Sequence, residues 1–381
     1  MELLSGFGLD VLGYAGPFLA ILTVLVFVHE LGHYAIARQC GVRVETFSIG
    51  FGPELFGWTD GAGTRWKFSL VPLGGYVKMF GDRNAASQPG QDPAAMTDAE
   101  RAVAFTGKSV GQRAAIVAAG PLANFIFAIA VFAAVFSTVG EPFTPPEIGG
   151  VEPDSAADRA GIRAGDRIVA IGDREILRFE EIRQIVQLGL GAPLSVVVER
   201  EGVRTALEVQ PLIAVEKDSL GNTYPLGRLG VRSRGLAYVR HDPATALWRG
   251  VKASWNQVEI AGKAVGQMIA GTRTTKEIGG PMRIAWISGE VAEAGLVVAI
   301  TFTAILSVHL GLINLLPVPM LDGGHLLFYL FESLKGRPLG ARAQDYGFRI
   351  GLALVMVLFL FATWNDLVHL RIVHFFQGLI S

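Results

Sequence analysis

His29, Glu30 and His33 stand in the run Val24–Ala37, in the order His-Glu-Leu-Gly-His. Residues i and i+4 of an α-helix share a face, so the two imidazoles can hold one metal ion together. Glu30, one position along, sits where its carboxylate can reach a metal-bound water. The chemistry available to such a set is zinc-assisted hydrolysis of a peptide bond. The setting sharpens the reading. The three ionisable residues lie in an apolar run that begins near Pro17 and is long enough to span a bilayer. Ionisable groups are costly there and by default point to function. A core helix of a soluble protein with two hydrogen-bonded histidines is the plainer alternative, and the run is too long and too apolar for it.

A catalytic zinc takes three protein ligands and keeps a fourth position for water, so the two histidines need a partner from elsewhere. The best candidate is Asp322, in the segment Asn314–His325, where Pro317, Pro319, Gly323 and Gly324 break the helix. Irregular backbone at membrane depth has to line a cavity, and a carboxylate oxygen suits zinc beside two imidazoles. The competing reading of an Asp before Gly-Gly is an ordinary turn, and His325 and His309 are rival ligands. Asn314 could donate a hydrogen bond to a substrate carbonyl or its oxyanion. Asn124, after Gly120-Pro121, could bond a loop of the site or join two helices. Asp366, near the end of the last apolar run, reads as an interfacial residue.

The elements that must position these groups follow from composition. The 381 residues are 51% hydrophobic and 18% charged, with a mean hydropathy of +0.41, which describes an integral membrane protein with a soluble portion. A net charge of −1 and the lack of a Lys/Arg cluster exclude a nucleic-acid footprint. The single cysteine, Cys40, excludes an intrachain disulfide and any multi-cysteine metal site. Residues 1–20 carry Glu2 and Asp10 but no basic n-region, so the first apolar run is expected to be retained rather than cleaved.

Four runs are long and apolar enough for transmembrane helices, at about 15–37, 114–138, 295–316 and 347–369. The connecting stretch 38–113 is rich in Lys and Arg, the loop after the third run holds Lys335, Arg337, Arg342 and Arg349, and residues 1–14 hold none. The positive-inside rule then puts both loops in the cytoplasm and the N-terminus and the 139–294 insert outside. The metal site falls towards the cytoplasmic face. Within 45–80, Thr46–Ile49 and Arg65–Val71 read as short strands separated by turn chemistry at Gly57–Gly63. A hairpin this apolar could dip into the membrane and offer an edge to an extended peptide; an ordinary cytoplasmic hairpin is the alternative. Residues 83–100 read as a polar loop.

In the insert, Arg167–Ile171 and Leu194–Arg200 read as strands and Phe179–Leu188 as a helix. The stretch Gly150–Ile176, with Ala160-Gly161-Ile162 and Ala164-Gly165-Asp166-Arg167-Ile168, resembles a PDZ domain of the bacterial protease type over about 145–213. Such domains bind an extended peptide beside a strand. Residues 214–240 read as Gly-rich and irregular. Leu247, Val251, Trp255, Val258, Val265 and Ile269 then recur at helical spacing, opposite Arg249, Lys252, Asn256, Glu259 and Lys263. That amphipathic helix suits a membrane surface.

Taken together, His29-Glu30-Leu31-Gly32-His33, Gly120-Pro121-Leu122-Ala123-Asn124, the PDZ-like core and Asn314…Pro317…Leu321-Asp322-Gly323 resemble the site-2 protease family of intramembrane zinc metalloproteases, nearest to its RseP-type members with a PDZ insert. The resemblance implies a polytopic α-helical membrane protein of four transmembrane helices with a membrane-reentrant β-hairpin and an extracytoplasmic α/β PDZ domain. The expected parts are 1–141 (first membrane half), 142–214 (PDZ), 215–294 (linker and amphipathic helix) and 295–381 (second membrane half). It makes His29, His33 and Asp322 ligands of Zn2+, Glu30 the catalytic acid/base, and Asn314, Gly50, Gly52 and Pro317 substrate-contacting positions. It implies single-pass transmembrane proteins as substrates, such as anti-sigma factors or leftover signal peptides, and a lipid bilayer of the bacterial inner membrane. A peptide or protein ligand for the PDZ domain is implied as well. One PDZ domain is legible here, where the best-known relative has two. Rival readings are a catalytically silent PDZ scaffold and a metal-ion transporter.

Overall fold

The computed structural model describes residues 2–82, 96–189, 191–217, 223–272, 274–275, 279–337 and 340–369. It divides into two compact units: the first is 1–133, 247–263 and 275–381, the second 134–246 and 264–274. The expected loop at 83–100 lies outside the described residues up to 95; its end enters a short helix, α2 (Asp98–Val103), closed by a Thr97–Glu100 capping box.

Among the described residues, four helices are long and apolar enough to cross a membrane: Gly13–Gln39 within α1 (Glu2–Gln39), α3 (Val110–Thr138), α8 (Leu296–Asn314) and Arg342–Val368 within α10 (Ala341–His369). At 1.5 Å per residue they run roughly 28–44 Å, against a hydrocarbon core of about 30 Å. Large apolar side chains on α10, among them Leu354, Val357, Leu358 and Leu360, stand exposed, as a lipid-facing surface requires.

Between α1 and α3, the first unit folds β1 (Val44–Thr59) against β2 (Arg65–Met79) as an antiparallel pair. Both strands are far longer than the short runs expected, because each bends. Phe47 is paired with both Val77 and Trp66, so the first half of β1 lies between the two halves of β2. The second half of β1 then flanks the first half of β2, with Phe56 stacked near Phe68 and Trp58 near Trp66. These cross-strand aromatics extend the pairing past Gly57. The turn is therefore Asp60–Thr64, held by the Asp60 carboxylate accepting from the Ala62 and Thr64 N–H groups at 2.9 Å. Gly50 (φ +89°) and Gly74 (φ +148°) make the corners, where a side chain would be strained. The inner face of this sheet (Phe47, Ile49, Val77, Met79) shares a core with Ala37, Phe105, Ile116 and Val117.

The remaining helices of this unit are the middle of α6 (Pro243–Ile269), α7 (Pro281–Glu293) and α9 (Asp322–Lys335). Helix α6 begins on an Asp242 cap with Pro243 in its first turn. It leaves Leu247, Val251, Trp255, Val265 and Ile269 exposed along the expected apolar stripe. Asp366 is 1% exposed, and its carboxylate caps α7 by accepting from Gly280 N–H (2.8 Å) and Arg283 N–H (3.1 Å).

The second unit is an α/β body. A four-stranded sheet, β6-β5-β7-β8, is made of β5 (Arg167–Ile171), β6 (Arg174–Glu175), β7 (Leu194–Arg200) and β8 (Val203–Val209). It packs with α4 (Ala156–Arg159) and α5 (Phe179–Leu188) around Ile162, Ile168, Ile182, Val196 and Val198. The described residues of 214–240 are not irregular. They carry the end of β9 (Leu212–Lys217), then β10 (Thr223–Arg228), β11 (Val231–Ser233) and β12 (Ala237–Val239). β11 pairs with β4 (Ile148–Val151) and β12 with β3 (Glu141–Phe143). Leu229, between β10 and β11, is 4% exposed within the core. The compact body thus runs well past 214. Asp166, 1% exposed, is gripped by Arg200 Nε (2.6 Å) and Nη2 (2.7 Å) and by Arg163 N–H (2.8 Å). Burial alone would lift this carboxyl, yet the Arg200 guanidinium and the backbone donor hold it below the ordinary carboxylate value.

Candidate metal centre

Helix α1 brings His29, Glu30 and His33 to one level because their spacing is that of one helical turn. Helix α9 starts with Asp322 in its first turn, where the helix dipole favours a carboxylate. His29 Nε2 and His33 Nε2 are 3.2 Å apart. Asp322 Oδ2 lies 3.2 Å from the first and 3.6 Å from the second. These three are the group of described residues able to hold a metal ion. His325 borders the same cavity, with its ring 5.3 Å from that of Phe348; His309 is not part of the cluster.

The donor set fits zinc. Three ligands about 2.0–2.1 Å from a tetrahedral zinc stand roughly 3.3 Å from one another, which is the spacing found here. Asp322 Oδ2 is moreover buried and faces the two imidazole nitrogens, a crowding of three donor atoms that a cation between them would satisfy. Both outer ring nitrogens have a partner on α3: His33 Nδ1 lies 2.9 Å from the Ile116 carbonyl, an acceptor of the kind a metal-binding imidazole requires, and His29 Nδ1 lies 3.2 Å from the Asn124 amide.

Helix α3 supplies both of those groups, and glycine lets it come close enough. A Cβ on Gly120 would strike the His33 ring and come within 3.0 Å of His29 Cε1, and one on Gly32 would strike the Ala119 carbonyl. Small residues are what allow helix backbones in a membrane to meet in this way. On the other side, Cβ atoms on Gly323 and Gly324 would collide with the carbonyls of Leu315, Leu316 and Val318. The chain between α8 and α9 therefore folds back tightly beneath Asp322. Met320, within that turn, has φ +83°, a conformation side chains rarely adopt.

Glu30, 9% exposed, faces a cavity of about 180 Å³ beside the cluster. Its carboxylate is hydrogen-bonded by the backbone of Val77. A Cβ on Gly75 would come within 2.6 Å of Val26 and 3.1 Å of Glu30 Cγ, so β2 runs hard against α1 here. The cavity wall is completed by Tyr76, Met79, Val117, Asn314 and Met320. Of the expected substrate-contacting positions, Asn314 lines this cavity. Gly50 and Gly52 lie at the bend of β1 and Pro317 in the turn after α8, and none of these three borders it. Sequence reasoning offered the 45–80 hairpin as an edge for substrate but ended its second strand at Val71, short of Gly75–Val77, and it did not find the Ile116 carbonyl. That segment gives only a Gly-Gly signal, and the carbonyl is a main-chain atom with no signal at all.

Comparison with known proteins agrees with this chemistry. The profile of "Peptidase family M50" matches residues 17–358. A protein of Rhizobium meliloti, provisionally named a zinc metalloprotease, is 46% identical over 94% of this chain and 98% of its own length. One of Agrobacterium fabrum with the same kind of name is 44% identical over 93% and 96%. The metalloprotease MmpA of Caulobacter vibrioides is 38% identical over 95% and 97%.

Proposed function

This chain belongs to peptidase family M50, whose members are intramembrane zinc metalloproteases, and from that premise we propose that it cuts single-pass membrane proteins within their transmembrane segments. It is a multi-pass membrane protein and a zinc-dependent peptidase. The observation that carries the assignment to residues is the convergence of His29 Nε2, His33 Nε2 and Asp322 Oδ2 beside Glu30. These three hold the zinc.

A zinc ion there supplies Lewis acidity and makes water acidic enough to ionise near neutral pH. Glu30 takes the proton from the attacking water at its carboxylate and returns it to the leaving amine. The Val77 backbone hydrogen bond keeps that carboxylate aimed into the cavity. Asn314, at the end of α8, donates from its side-chain amide to the oxygen of the scissile carbonyl. A helical substrate hides its carbonyls in the i→i−4 ladder, so the bond has to be unwound first. The Gly75–Val77 segment of β2, which borders the cavity, supports pairing with an extended substrate, and the β1–β2 sheet is accordingly read as the membrane-reentrant element.

The second unit is read as a PDZ-type domain on the outer side of a bacterial inner membrane, with the metal centre near the cytoplasmic face. A cleft of about 190 Å³ between α5 and the 226–231 segment, floored by Phe179, Ile182, Val186 and Leu229 with Arg183 and Arg228 at its rim, supports docking of a peptide. Substrates trimmed beforehand on the outer side, of the anti-sigma-factor or leftover-signal-peptide kind, suit this arrangement. The scaffold and transporter readings give way to the peptidase one.

The test is cleavage of a single-pass membrane substrate by the purified protein in detergent, beside Glu30→Gln, with zinc measured on both. Loss of cleavage with zinc retained supports the assignment. Cleavage by Glu30→Gln at the wild-type rate, or zinc retained after His33→Ala, would remove it.

A further inference from the structure

Asn124 sits in α3, one turn beyond Gly120, and is fully buried. Its main-chain carbonyl accepts a 2.9 Å hydrogen bond from Ser307 Oγ of α8, which fixes its place along the helix. Its side-chain amide meets His29 at 3.2 Å, Nδ2 towards ring Nδ1, while Oδ1 is buried with no partner.

That arrangement dictates where the ring proton goes. With Nδ2–H donating to Nδ1, the neutral His29 ring carries its proton on Nε2, the atom that faces His33 and Asp322. A protonated Nε2 has no lone pair for a metal. Turning the amide half a revolution about its last bond puts Oδ1 against Nδ1 at the same distance. The proton then belongs on Nδ1, and Nε2 offers its lone pair to the cluster.

We propose that Asn124 is a positioning residue for the metal centre. In the metal-loaded protein its side-chain oxygen accepts from His29 Nδ1–H and so selects the tautomer that binds zinc. His33 needs no such residue, because the Ile116 carbonyl at 2.9 Å can only accept. The two ligands of α1 are thus held by different devices: one is a fixed main-chain acceptor, the other an amide that can present either end. The inference rests on the zinc-site reading above.

Two substitutions separate the amide's roles. Asn124→Asp keeps an acceptor and removes the donor; Asn124→Leu has nearly the same shape and neither. Zinc affinity is measured on the full-length protein in detergent by competition with a chromophoric chelator, and thermal unfolding is measured on the metal-free forms. Asn124→Leu is expected to lose about 10–100-fold in zinc affinity, the usual cost of losing a partner of a metal-binding histidine. Asn124→Asp is expected to stay within about threefold of wild type, with His29→Ala marking the floor. Comparable metal-free unfolding of the two variants assigns the loss to the metal and not to packing. Asn124→Leu binding zinc as tightly as wild type would overturn the proposal, and so would Asn124→Asp falling as far as Asn124→Leu. Wild type and His29→Ala binding zinc equally would overturn the zinc-site reading and this proposal with it.

Discussion

Arg113 Nη2 lies 2.6 Å from Glu332 Oε1, and both side chains are largely buried. The Arg113 guanidinium also lies over the Tyr329 ring. One residue opens α3, the helix behind the two histidines; the other is well along α9, the helix that begins with Asp322. The pair therefore sets the spacing between the helix that backs His29 and His33 and the helix that carries Asp322. Removing one partner strands a buried charge, which typically costs about 3–5 kcal/mol. Arg113→Ala and Glu332→Ala are each expected to lower the unfolding midpoint sharply and to weaken zinc binding. The double variant should recover part of the loss, and a double-mutant cycle on thermal stability reads that coupling. Additive losses would mean that the ion pair does not join the helices.

Gly120→Ala tests the closeness of α3 to the ligands. Its Cβ would occupy the space of the His33 ring, so the rings must turn or the helices part. Zinc per chain, read by mass spectrometry of the metal, is expected to fall several-fold. Gly32→Ala should act through packing instead, at about 1–3 kcal/mol, since its Cβ meets the Ala119 main chain and not a ligand.

Stripping the metal with a chelator should abolish cleavage, and restoring zinc should return it. Because only the folded state assembles His29, His33 and Asp322, zinc at about 100 times its dissociation constant should add about 2.7 kcal/mol of stability. Asp322→Ala should show no such zinc-dependent rise in its unfolding midpoint. An unchanged rise would remove Asp322 from the ligand set.

How far the site could be read in advance depended on sequence distance. His29, Glu30 and His33 are legible because a helix brings i and i+4 together without any knowledge of the rest of the chain. Asp322 was reachable because few acidic residues sit beside helix breakers in an apolar run. The 214–240 segment was misread because β11 and β12 find their partners in β4 and β3, the opening strands of the insert. No local hairpin signal announces such pairing, and the glycines there, including Gly230 and Gly235 at positive φ, look like a linker. The capping role of Asp366 was out of reach for the same reason: the helix it caps starts at Pro281. The strands of the β1–β2 pair were found but cut short, since Trp58 and Trp66 register against each other only once the turn at Asp60 has formed.

In the second unit, Asp166 links stability to pH. Its carboxyl titrates lower in the folded chain than the ordinary value of about 3.9. The stabilisation is then fully present above that value and is lost as pH falls below it through the folded-state value. Hydrogen exchange of the core amides around Ile168 in the full-length protein should quicken over that acidic window. Asp166→Asn should remove that part of the pH dependence and, by breaking the grip of Arg200, cost about 2 kcal/mol at neutral pH. Unchanged exchange in Asp166→Asn would show the pair to be ornamental.

The first and last strands of the second unit, β3 and β12, lie side by side, with Val239 paired to Glu141 and His241 Nε2 3.0 Å from the Glu141 carboxylate. The chain thus leaves the unit beside the point where it came in. A body with adjoining ends behaves as a cassette: it can be lengthened, doubled or replaced between the same two anchor points without asking its flanking chain to span a new distance. Variation in this body can accumulate in this way while the chain on either side keeps the same two anchor points.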